Sequence, residues 1–90
     1  MIAISGRIFC ANQIEAELLA SLLEEHTQLT RAEPGCLSFN MSRTADPLVW
    51  LLDEAFNDEE AYQAHLSRTR STPWYGATAH LRRDVKITGL

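Results

Sequence analysis

Apolar and polar positions alternate along Ile2 to Phe9, with Ile2, Ile4, Gly6 and Ile8 against Ala3, Ser5, Arg7 and Phe9, which predicts a first β-strand. From Asn12 the period changes. Asn12 and Glu15 form a capping-box pair, and Ile14, Leu18, Leu22, Glu25 and Leu29 recur at helical spacing, flanked by Leu19, Leu23 and His26. This is a long amphipathic helix, expected to stop at Pro34-Gly35, where proline disfavours helix in the preceding residue and glycine supplies a left-handed turn. From Cys36 to Arg43, Leu37, Phe39 and Met41 alternate with Cys36, Ser38, Asn40 and Ser42, a half-polar strand. Thr44 to Pro47 carries turn chemistry, so this strand and Leu48 to Phe56 form a hairpin. Asn57 with Glu60 repeats the capping pattern and starts a second helix running to about Ser67. Trp74 to Leu81 makes a third short helix or an ordered loop, and Arg82 to Leu90, with Val85 and Ile87 alternating, is a last strand.

The order β-α-β-β-α-β, with right-handed crossovers, predicts an α+β, ferredoxin-like domain: a four-stranded antiparallel sheet with its helices on one face. One such domain occupies residues 1–90. The second row of the strand Leu48 to Phe56 is Val49, Leu51, Asp53 and Ala55, so both faces are largely apolar, and an antiparallel sheet wetted on one side needs more polar alternation. A second copy is the economical cover, and we expect a homodimer joined through its sheet faces.

The chemistry concentrates between Asp53 and His65. Trp50, Leu52, Glu54 and Phe56 share one strand face, and Ala61, Tyr62, His65 and Leu66 share one helix face. If the two close on each other, Glu54, Tyr62 and His65 look into one largely apolar space, the composition of a small-molecule pocket. A buried Glu54 needs a partner, and an arginine or His65 would serve. Tyr62 and Trp50 are accounted for by packing alone, and Trp74-Tyr75 by a lid or by a loop anchor. His26 and His80, among charged neighbours, are expected to face solvent.

Composition narrows the partners. A net charge of -4 and a pI near 5.2 provide no basic field for phosphates, so nucleic acid is not expected. Met1 to Cys10 lacks the charged start and long apolar run of a signal peptide, and no stretch reaches the roughly 20 apolar residues of a membrane span. A cytoplasmic protein without a membrane partner is expected. Its two cysteines, Cys10 and Cys36, lack metal-ligand spacing and fit reduced thiols.

The stretches Arg31-Ala-Glu-Pro-Gly-Cys-Leu-Ser-Phe39 and Glu54-Ala-Phe56, the latter followed by Asn57-Asp-Glu-Glu-Ala-Tyr-Gln-Ala-His65, resemble the antibiotic biosynthesis monooxygenase family of dimeric α+β barrels, which includes small quinol monooxygenases. The resemblance implies oxidation of a small aromatic or quinol by O2 with no cofactor and no metal, the substrate anion donating the electrons. Such chemistry needs an apolar cavity, a base and donors for an oxyanion. On that resemblance His65 is the candidate base, Glu54 orients it, Tyr62, Asn40 or Trp74 donates hydrogen bonds, and Trp50 and Phe56 line the wall. The chain departs from haem-degrading relatives, which resemble a scheme with asparagine in the first strand, where Ser5, Gly6 and Arg7 stand, and tryptophan near the position of His65. Two other functions stay open: an isomerase or lyase using the same base without oxygen, and a non-catalytic small-molecule-binding dimer.

Overall fold

The alternation of Ile2, Ile4 and Ile8 is realised in the computed structural model, which describes residues 1–90, as β1 (Ile2–Phe9), with all three isoleucines buried. It is followed by α1 (Gln13–Arg31), β2 (Cys36–Arg43), β3 (Val49–Phe56), α2 (Glu59–Thr69), α3 (Pro73–Thr78) and β4 (Arg82–Thr88). The sheet order is β2-β3-β1-β4 with every neighbour antiparallel, the ferredoxin-like arrangement, and Trp74-Tyr75 lies on a true third helix. Register places Glu54 of β3 between Ile4 of β1 and Phe39 of β2, and Ile87 of β4 beyond Ile4. A carboxyl group thus stands in the middle of the buried sheet face.

Three local details differ from expectation. The cap of α2 is Asp58, whose side chain accepts the Ala61 N–H at 2.8 Å, and the Asn57 N–H is donated to Gly35 O, which holds Asn57 to the start of β2. The shift leaves Tyr62 and His65 on the inner face. Leu37 points outward, 53% exposed, because the β2–β3 register shifts between Cys36 and Ser38 and the extra residue turns away. Gly35 does not adopt a left-handed conformation; α1 ends on Ala32 in helical geometry, and the only positive φ values are at Gly6 and Gly89.

Gly35 serves a close approach instead, since a Cβ there would overlap the Cβ of Ala61 and push α2 off the sheet. One core cluster gathers Ile8, Leu19, Trp50, Trp74 and Leu81, and another Ile2, Ile4 and Phe56 with Tyr62 and Val85 at its edge. On the far side of the sheet Leu51 remains exposed, with Val49 and Ala55 half-buried. Gly35→Ala is expected to lose roughly 1–3 kcal/mol of stability in urea titrations, the usual cost of overpacking. Gly76→Ala, on α3 where an added Cβ meets nothing, should be neutral or stabilise by about 0.5–1 kcal/mol.

Candidate active site

The inner stripe of α2 carries Tyr62, His65 and Leu66 over the sheet, and the region between sheet, α2 and α3 encloses a cavity of about 360 Å³. That volume suits a small ligand. Its walls are mainly apolar, with Ile4, Leu52 and Val85 on the sheet side and Leu66 and Trp74 on the helix side. Glu54, Tyr62, His65 and Trp74 all line it, as do Arg70, Arg83 and His26.

His65 is 4% exposed and its Nδ1 lies 2.7 Å from Glu33 Oε1. A carboxylate can only accept, so Nδ1 carries the proton and the lone pair is on Nε2, which has no protein partner. Glu33 comes from the α1–β2 junction and also takes the Arg68 Nε–H at 2.6 Å through Oε2. Arg68 Nη2 then donates to Thr30 Oγ1, which lies 3.5 Å from His26 Nε2. Burial pushes the His65 pKa down, and the hydrogen bond and charge of Glu33 partly restore it.

Glu54 does not orient His65, because Glu33 occupies that position; nor does Glu54 form an ion pair with an arginine. Sealed at 6% exposure among Ile4, Phe39 and Leu52, its carboxyl is raised to about 7, first by burial and then by the charge of Glu33, against the pull of Arg83. Burial, then Glu54, also raises the Tyr62 phenol.

The other expected ligand contacts divide. Asn40 faces the opposite side of the sheet, where it accepts from Arg31 Nη2 at 3.1 Å, because the alternation that turns Phe39 inward turns its neighbour outward. Trp50 is buried in the core beside Leu19 and Ile8, with the Arg43 guanidinium 4.5 Å over its ring, and does not reach the cavity. Phe56 lies behind the site, its ring 4.9 Å from that of His65 and 5.6 Å from that of Tyr62. It backs the imidazole rather than facing a ligand.

His26 overturns its expected solvent position. It is 4% exposed and stacks on Trp74 at 4.3 Å with 6° between the rings, and burial, with the nearby positive groups, lowers its pKa to about 3. Its stripe was present in the sequence, since Ala16, Leu19, His26 and Thr30 share one face of α1 and are all buried. Glu33 gave no such signal, because it lies in an aperiodic turn. His80 does sit at the surface, paired with Glu15 at 2.7 Å, and both cysteines are free. No group of three or more His, Cys, Asp or Glu side chains is arranged to hold a metal ion, and no helix is long and apolar enough to cross a membrane.

Two expectations follow from these charges. The folded pKa of Glu54, about 7, exceeds the ordinary 4.5, so the stability it contributes is full below the lower value and lost as pH rises through the higher, by roughly 3 kcal/mol in all. Burial of neutral His26 and His65 acts in the opposite sense, costing stability as pH falls below 6.5. Glu54→Gln should therefore gain on the wild type between about pH 5 and about pH 8 in urea titrations, and a pH-independent difference would refute the assignment. In Glu33→Gln, NMR titration should find the His65 pKa lowered further, and the loss of the Arg68 partner should cost roughly 1–3 kcal/mol.

The fold is shared with solved structures of low sequence identity. A Nitrosomonas europaea protein whose name carries the words antibiotic biosynthesis monooxygenase is 20% identical, with a TM-score of 0.78 over 100% of this chain and 98% of that one. Rv0793 from Mycobacterium tuberculosis is 23% identical, with a TM-score of 0.74 over 99% of this chain and 93% of the other. SnoaB of Streptomyces nogalater, named a cofactor-independent oxygenase, is 13% identical, with a TM-score of 0.77 over 99% and 91%. Among curated proteins no match is found. Residues 1–75 match the family model described as antibiotic biosynthesis monooxygenase, so that the element order, the sheet topology and the sequence agree: the chain belongs to the antibiotic biosynthesis monooxygenase family.

Proposed function

We propose that this chain is a cofactor-independent monooxygenase that oxidises a small aromatic or quinol with O2, using His65 as the base. One observation carries the reading: in the wall of a mostly apolar cavity stands an imidazole whose Nδ1–H is committed to Glu33 and whose Nε2 is left without a protein partner. Nε2 takes the proton of the substrate hydroxyl, and the resulting anion donates electrons to O2. For a phenol the product is a quinone, one oxygen atom staying on the ring and the other leaving as water. In this reading Tyr62, and Glu54 in its protonated form, are the donors on the wall that would steady the substrate oxygen. The similarity in fold to SnoaB supports an oxygenase.

The working unit in this proposal is a homodimer of single-domain chains of residues 1–90, joined through the sheet face that carries Val49, Leu51 and Ala55. Exposed Leu51 is the apolar surface that such packing would cover. Two free thiols fit the cytoplasm.

Glu54 favours a second reading. A carboxyl raised to about 7 and a neutral imidazole on the walls of one cavity are an acid and a base matched to neutral pH, which suits an isomerase or lyase moving a proton without oxygen. Turnover under strict anaerobiosis separates the two.

The first reading expects oxygen uptake with at least one member of a quinol and phenol panel, reduced about 10²-fold or more in His65→Ala with the dimer intact by light scattering. A panel that consumes no oxygen above background, or a His65→Ala variant as active as the wild type, counts against it.

A further inference from the structure

The proposed oxidation leaves two cations of the cavity wall without a task. Arg70 and Arg83 line the same space as His65 and Glu54, and neither has a carboxylate within ion-pairing distance. Arg68 is different, since Glu33 and Thr30 engage it. The chain as a whole carries a net charge of -4, so a cationic excess at this one cavity runs against the bulk balance.

Arg83 is also held in place. It occupies the inner face of β4, opposite Ile8, and its Nη2 donates to Thr78 O at 2.8 Å, tying the guanidinium to the end of α3. Thr78 is itself buried and its Oγ1–H donates to Trp74 O, while the rest of the Arg83 side chain is exposed. A guanidinium has five N–H donors in a fixed fork, and this contact uses one. The remaining donors are free for a planar anion, which arginine binds through two parallel bonds. Glu54 is the only acidic side chain on the wall.

We propose that the cavity takes a small aromatic acid, its ring against Ile4, Leu52 and Trp74 and its carboxylate on Arg83, with Arg70 drawing the anion to the mouth. The proposal rests on the cavity being the substrate site and deepens that reading by naming the substrate class. Arg83 then sets specificity, and His65 works on the hydroxyl of the same ring.

The test is anaerobic calorimetry with 2,5-dihydroxybenzoate and its methyl ester at low ionic strength, so that no turnover is required. The wild type should bind the acid about tenfold or more tightly than the ester, the value of one charge-assisted bidentate contact. In Arg83→Gln, checked for folding by circular dichroism, that preference should fall to near unity; in Arg70→Gln it should persist with a weaker dependence on salt. Equal affinity of the wild type for acid and ester, or no binding of the acid at millimolar concentration, overturns the proposal, and that comparison needs no variant. Selective binding of the acid, with no oxygen consumed when the same complex is then exposed to air, would leave the anion site standing and count against the oxygenase reading.

Discussion

The carboxylate of Glu33 is the point on which the site depends. One oxygen holds His65 and the other holds Arg68, so a residue in the turn between α1 and β2 grips α2 at two side chains about one turn apart. The grip works because the chain closes up beside it, with Gly35 against Ala61 and the Asn57 N–H on Gly35 O. Both charges are mostly out of water, at 16% and 27% side-chain exposure for Glu33 and Arg68, so removing one partner leaves the other poorly solvated. Distance alone would not make His65 useful. The Glu33 contact selects the tautomer that leaves Nε2 unprotonated, and it offsets part of the desolvation that lowers the basicity of the ring.

The same carboxylate reaches Glu54 without touching it. Its negative charge adds to burial in raising the Glu54 carboxyl, while Arg83 acts against both. The two acids therefore have different surroundings: Glu33 is bonded to His65 and Arg68, and the Glu54 carboxyl is raised by its apolar setting. Over them α3 forms a roof, fixed by the stack of Trp74 on His26 and by the Arg83 bond to Thr78. A neutral imidazole suits that stack, since protonating it would bury a charge next to His65 and Arg68.

Local periodicity determined most of the architecture. Alternation in β1 and β3, capping pairs near Asn12 and Asn57, and the helical stripe of α1 yield the element order, and right-handed crossovers then leave one sheet topology, which is the one observed. Periodicity also selected faces, placing Glu54 inward on β3 and Tyr62 and His65 inward on α2, because a period of two or of 3.6 depends only on neighbouring residues. Where expectation failed, the cause was a non-local contact, a single extra residue or the wrong face assigned within one helix. Leu37 turned outward at a register shift, and His26 turned inward because the charged residues beside it belong to another face of the same helix.

What the sequence by itself determined is which side chains share a surface. Only the tertiary structure decided which atoms meet across those surfaces. His65 found Glu33, 32 positions away, rather than Glu54, and Trp50 and Phe56 became core while Arg83 came to the wall. The physical reason is that a hydrogen bond requires placement to a few tenths of an ångström, set jointly by sheet register, the seating of α2 on Gly35 and the docking of α3, and no one of these is written in a single local stretch.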